Sequence, residues 1–154
     1  MTCDATFRFV HCVAKWPGSV HDSRVFRESS LVRLFETGVR TGLILGDSGY
    51  GLKKYLMVPY LTPRTRAEEK FNTSLCRTRV TIEQAFGILK RRFPCLQVGK
   101  VQPDRVCATV IACVILHNLG IDKRDIVDPP PVNRRLMDEV ALPDAGRRTE
   151  GKTV

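Results

Sequence analysis

The sequence predicts an α/β domain in which a mixed sheet is flanked by helices. Three observations carry this expectation. Short runs rich in aromatic and β-branched residues, closed by Gly or Pro, occur over residues 7–14, 43–45 and 55–60. Between and after them, apolar residues recur with a helical period over 23–36 and 68–92. A chain of 154 residues that is 43% hydrophobic has the length of one domain and enough apolar side chains for one core.

The elements follow in order. F-R-F-V-H-C-V-A over 7–14 reads as a strand that ends before Trp16-Pro17-Gly18. Asp4-Ala5-Thr6 reads as a hairpin turn, with the end of another strand at Thr2 and Cys3. Ser19 or Asp22 suits the cap of a helix over 23–36. Phe26, Leu31, Leu34 and Phe35 lie on one face of it, Ser29-Ser30 is a place to break it, and Gly38 suits its C-terminus. Residues 43–45 form a short apolar run between glycines, a buried strand that delivers Asp47 at its C-terminal end. Residues 55–60 form another strand, with Pro59 at its end or on an edge.

Phe71, Leu75, Ile82, Phe86, Leu89 and Phe93, with Thr78 filling the gap, mark a long amphipathic helix over 68–92 that Pro94 stops. Pro103 starts a further helix that is apolar all round and therefore expected to be buried, with Gly120 just past its end. At about sixteen residues it is too short to span a bilayer comfortably. From Asp122 onward the composition turns polar, with Pro129-Pro130-Pro131 and mixed charges. This divides the chain into a domain over 1–121 and a disordered tail over 122–154, with a short helix near 136–140.

Charge and composition narrow the function classes. No run of 18 apolar residues is present, which argues against a membrane partner, and the N-terminus has no signal-peptide pattern. Six cysteines form no C-x-x-C pair, so reduced thiols are expected and the spacing of a zinc site is absent. The formal net charge is +9. Residues 122–154 hold seven basic and seven acidic residues, whereas 51–100 hold eleven basic and three acidic. The surplus is concentrated, as expected for a polyanion partner with nucleic acid first, or for a merely solvated basic face. Lys53, Lys54, Arg77, Arg79 and the run Lys90-Arg91-Arg92 are the phosphate-binding candidates, and that run also suits a nuclear import signal.

Three acids stand at structured positions. Asp47 ends a buried strand, Glu83 follows the core-facing Ile82 on the long helix, and Asp22 opens the first helix. Gly87, one turn beyond Glu83, leaves space beside that carboxylate, and Arg79 lies one turn before it. Carboxylates brought together repel, and a divalent cation with oxygen ligands removes that cost. Two such ions activate water and stabilise the leaving oxygen in phosphodiester cleavage. The plainer alternative is that Asp47 caps its loop, Asp22 caps its helix and Glu83 pairs with Arg79. His11 carries no clear signal. His21 reads as a substrate contact or as a hydrogen-bonded neighbour of a helix cap, and His117-Asn118 as the completion of a buried helix end.

The segments W-P-G-S-V-H-D-S (16–23), L-G-D-S-G-Y (45–50), F-N-T-S-L-C-R-T-R-V-T-I-E-Q-A-F-G-I-L-K-R-R-F (71–93) and I-L-H-N (115–118) occur in this order. Together they resemble the DDE endonuclease domain of PIF/Harbinger transposases and Harbinger transposase-derived nucleases, over about residues 2–121. The resemblance implies an RNase H-like fold, a mixed sheet with flanking helices, in which Asp47 and Glu83 are the second and third acids of a triad and Asp22 is a further metal ligand. It implies Mg²⁺ or Mn²⁺ as cofactor, DNA as substrate, hydrolysis of phosphodiester bonds, the nucleus as location and a Myb-like DNA-binding protein as partner.

It also implies that the first strand, with the first triad acid, is missing, an N-terminal truncation relative to the family domain. Asp4 matches the family's turn after the second strand, so a hairpin role and a ligand role are both open for it. Gly51 stands where proline is common in the family. An inactive nuclear adaptor of transposon origin that binds DNA or protein is the rival expectation, and a sheet without its first strand is expected to be marginal in stability or prone to aggregate.

Overall fold

Asp4 folds the N-terminus into a hairpin. Its Oδ1 accepts from Thr6 N–H (2.8 Å), Thr6 Oγ1 (2.7 Å) and Arg8 N–H (3.0 Å). This side-chain turn joins β1 (Thr2–Cys3) to β2 (Phe9–His11), which pair antiparallel with a bulge between Thr2 and Cys3. The computed structural model describes residues 1–14, 22–97, 103–125 and 127–131. Trp16-Pro17-Gly18, Ser19, His21 and the helix expected near 136–140 lie outside the described residues.

The helix expected over 23–36 is two, α1 (Asp22–Arg27) and α2 (Ser30–Glu36). The break falls at the serines because Ser29 leaves the helical conformation to cap α2, its side chain accepting from Val32 N–H. Next, β3 (Ile44–Leu45) and β4 (Leu56–Met57) pair in parallel, with Ile44 N–H donating to Tyr55 C=O (2.7 Å) and Gly46 N–H to Met57 C=O (2.8 Å). Phe35 stacks on Tyr55 at 5.1 Å, which ties α2 to this pair.

The long helix α3 (Arg66–Arg92) opens with a reciprocal cap: Thr65 accepts from Glu68 N–H, and the Glu68 carboxylate accepts from Thr65 N–H. A 3-10 turn (Pro94–Leu96) follows, and then α4 (Pro103–Asp122). Helix α3 packs against β1, α4 and that turn. The core between them is Phe9, Ala85, Leu89, Cys113 and Val114, closed by Cys3, Phe7, Ile82, Phe86 and Phe93. Phe9 stacks on Phe86 at 5.8 Å and meets the fully buried His117 at 5.1 Å with the two rings tilted.

Several expectations are corrected. The strand directions are mixed, but the described strands form two separate two-stranded sheets, not one. The strands are shorter than expected, and at β4 a side chain takes the place of a strand partner. Tyr60 exchanges both backbone hydrogen bonds with the Asn72 amide (2.9 Å each), so β4 stops before it. Thr78 does not fill the apolar face of α3. It is exposed and donates to Ser74 C=O at 2.9 Å.

Helix α4 is twenty residues long and is not buried all round. Cys113, Val114 and His117 face the core, whereas Ile111, Ile115, Leu116 and Leu119 are exposed. Its stretch Arg105–Asp122 is long and apolar enough to cross a membrane by length and composition, so length does not exclude a span. Gly120 lies inside this helix rather than past its end. A Cβ there would collide with the Arg92 guanidinium, which crosses the glycine to pair with Asp125. The chain after Asp122 turns back onto α3, where Arg91 donates to Asp128 C=O (3.1 Å) and Pro130 occupies the space over Gly87. That space is therefore not open beside Glu83.

Candidate active site

The parallel pairing of β3 with β4 places Asp47 at the C-terminal end of β3, where the chain leaves the sheet. Its carboxylate is half-exposed and its two oxygens do different things. Oδ1 accepts from Gly49 N–H at 2.8 Å and closes the loop. Oδ2 lies 3.8 Å from Nη2 of Arg79 on α3. Asp47 therefore caps its own loop, as the plainer alternative holds, but it is Asp47 rather than Glu83 that meets Arg79. Residues this far apart in sequence give no local signal for the pairing.

Glu83 stands one helical turn beyond Arg79, on the same side of α3. It is exposed and makes no hydrogen bond or ion pair among the described residues. Cys76, one turn before Arg79, belongs to the same stripe. Burial raises its thiol pKa, the Arg79 charge opposes this, and Glu83 adds to it. Asp22 opens α1, but its side chain lies outside the described part. Asp4 spends Oδ1 on three turn hydrogen bonds. Burial raises its pKa, yet those bonds and the Arg8 charge win and hold its carboxyl below the usual range. The geometry is that of a hairpin turn.

The basic candidates divide by what they touch. Lys53 pairs with Glu36 at 3.1 Å and lies 5.9 Å from the Tyr55 ring. Arg91 is held by Asp128 C=O, and Arg92 is tucked against Gly120 with its side chain 9% exposed. Lys54, Arg77 and Lys90 are exposed and unpaired among the described residues. Of the basic residues in 51–100, Arg64, Arg66 and Lys70 are likewise exposed and without a side-chain partner among the described residues, whereas Lys53, Arg79, Arg91 and Arg92 are tied into the fold.

Among the described residues no group of three or more His, Cys, Asp or Glu side chains is placed to hold a metal ion. The donors that α3 and β3 bring to one region, Asp47 and Glu83, are hard carboxylate oxygens around a cationic side chain. Mg²⁺ is commonly held by one or two carboxylates, with waters and substrate phosphate completing its shell. The donor chemistry therefore fits Mg²⁺ or Mn²⁺.

Strand pairs flanked by helices, with an acid at a strand end facing an acid-bearing helix, make a mixed α/β domain. The model of the DDE superfamily endonucleases matches residues 1–118, and the chain belongs to that family. Its relatives are Harbinger transposase-derived, as the four ordered segments indicate. It is 35% identical over 127 residues to the candidate nuclease HARBI1 of Homo sapiens, covering 79% of this chain and 36% of the relative. The Xenopus laevis protein of that name is 29% identical over 126 residues, and the ALP1-like protein of Arabidopsis thaliana is 29% identical over 150 residues, covering 86% of this chain and 37% of the relative. The chain thus spans little more than a third of the length of these relatives. No solved structure matches it.

Proposed function

We propose that this chain is the metal-dependent part of a DNA endonuclease that hydrolyses phosphodiester bonds in the nucleus. One observation carries the reading. Asp47, at the end of β3, meets the stripe of α3 that bears Glu83, in a chain of the DDE endonuclease family. Asp47 and Glu83, with Asp22, would hold Mg²⁺ or Mn²⁺, which when bound supplies an activated water and charge neutralisation at the leaving oxygen. The chain's own residues hold and orient the strand. Lys54, Arg77 and Lys90 offer exposed cations to backbone phosphates, contacts that fix position without reading sequence. The Gly49 N–H fixes the Asp47 carboxylate rotamer, leaving Oδ2 directed at the site.

The test is nicking of supercoiled plasmid by purified protein with Mn²⁺. Activity that is lost in Asp47→Asn and in Glu83→Gln supports the reading. No nicking by the wild type, or nicking indifferent to Asp47→Asn, overturns it.

The exposed apolar side of α4 favours a second reading, a non-catalytic nuclear adaptor that binds DNA and a protein such as a Myb-like DNA-binding protein. A partner complex that survives Glu83→Ala but is lost in Ile115→Glu, with no metal-dependent rise in melting temperature, supports the adaptor.

A further inference from the structure

The ion pair between Asp47 and Arg79 has features of a placeholder rather than a strut. At 3.8 Å it is longer than an N–H···O hydrogen bond, so it holds by charge alone. Asp47 is 45% exposed at its side chain, and water screens the pair. Arg79 is only 24% exposed, so its stem is kept in place by the surroundings while its head faces the acid. The Asp47 oxygen it faces is the one the loop leaves free, since Gly49 takes the other. One turn on, Glu83 has no cationic partner among the described residues. A single guanidinium thus stands where two carboxylates need a positive charge.

We propose that Arg79 is a positioning residue that neutralises Asp47 while the metal site is empty and turns to a substrate phosphate when a divalent ion takes its place. The inference rests on the metal-dependent reading above and adds a coupling to it. A divalent ion that binds at Asp47 must displace the guanidinium, so metal alone binds weakly. A DNA phosphate that engages the displaced guanidinium offsets that cost, so metal and DNA each favour the other by the same factor. The fork-shaped, permanently charged guanidinium suits both partners, a carboxylate and a phosphate. Metal ions would then be held firmly only where a strand lies across the site.

The experiment is Mn²⁺ titration of the protein followed by electron paramagnetic resonance, with and without a saturating DNA duplex. Arg79→Gln is expected to bind Mn²⁺ about tenfold more tightly than wild type without DNA, the size of a typical coupling between sites. With DNA present the difference should shrink. Arg79→Lys, which keeps a charge near Asp47, should stay close to wild type in both. Circular dichroism melts establish that each variant is folded. Mn²⁺ binding that depends on Asp47 but is unchanged or weakened in Arg79→Gln overturns the placeholder and leaves the nuclease reading standing. If no variant binds Mn²⁺ with or without DNA, both fall.

Discussion

The Asn118 side chain holds the backbone of Phe9 by both of its polar groups. Oδ1 accepts from Phe9 N–H at 2.9 Å, and Nδ2 donates to Phe9 C=O at 2.8 Å. One amide on α4 thereby does for β2 what a neighbouring strand would do. Asn72 on α3 repeats the device at Tyr60. The two sites differ in burial. Phe9 is 4% exposed and Tyr60 52%, so water can replace the lost partner at Tyr60 and not at Phe9. Asn118→Ala should therefore cost about 2–4 kcal/mol, two buried backbone groups left unsatisfied. Asn72→Ala should cost about 1 kcal/mol, the worth of a hydrogen bond that water can replace. Urea unfolding of the two variants checks the order. Equal losses would show that Phe9 finds water after all.

His117 makes stability depend on pH. Its Nε2 meets Phe7 C=O at 2.9 Å, and its Nδ1 is buried without a partner among the described residues. Burial pushes its pKa below the usual 6.5 and the Arg92 charge adds to this, while the hydrogen bond to Phe7 opposes. A histidine with a depressed folded pKa is bound by more protons when unfolded. Its contribution is complete above pH 6.5 and is lost as pH falls towards the folded value. His11 acts in the same direction, through burial, the N-terminus and Arg40. Urea midpoints should fall between pH 7.5 and 5.5. His117→Gln should be less stable at pH 7.5 yet show a flatter pH profile, with the residual slope due to His11. An unchanged slope would assign the whole effect elsewhere.

These two contacts mark the boundary of what the sequence discloses. The helical period of Phe71, Leu75, Ile82, Phe86 and Leu89 is local information, and α3 follows it from Arg66 to Arg92. The hairpin at Asp4 and the break at Ser29 are local as well, because their capping hydrogen bonds span four residues or fewer. The Asn118–Phe9 lock, the Asp47–Arg79 pair and the seat of Pro130 on Gly87 are long-range, and no window of sequence contains both partners. Composition made α4 uniformly apolar. Which side it buries depends on where α3 and β2 lie, so its exposed side was not legible.

The exposed side of α4 predicts self-association. Ile115 is 62% exposed and Leu119 50%, one turn apart with Leu116 and Ile111 beside them. An apolar stripe of this kind on a soluble surface is sticky. Ile115→Glu combined with Leu119→Lys should shift the protein to monomer in sedimentation velocity. The melting temperature should stay nearly unchanged, since neither side chain contributes to the core. A large drop in melting temperature would mean that α4 is covered in the folded protein.

Two glycines make close approaches that a methyl group blocks. Gly87→Ala should push Pro130 off α3, and Gly120→Ala should displace the Arg92 guanidinium from Asp125. The first should raise hydrogen exchange over 127–131 with little effect on global stability, because that segment adds few core contacts. The second should cost about 1–3 kcal/mol, because Arg92 is largely buried and its Nε already lacks a partner among the described residues. Comparing the two variants separates the docking of the segment after α4 from the closure of α4 on α3. Equal global losses would join them into one unit.

The exposed cations predict a salt dependence. Each phosphate neutralised on duplex DNA contributes about −0.9 to the slope of log K against log salt. If Lys54, Arg77 and Lys90 each meet one phosphate, replacing all three with Gln should flatten that slope by about 2.7. Replacing Lys53 should change it less, because Glu36 already holds that ammonium at 3.1 Å, and an exposed cation released from its acid gains little on reaching a phosphate. Arg92→Gln should lower stability without moving the slope, since its guanidinium is spent on Asp125 inside the fold. Fluorescence anisotropy on one duplex at several salt concentrations measures all three. A slope that follows Arg92 rather than Lys54, Arg77 and Lys90 would place the DNA against Arg92 instead of against those three cations.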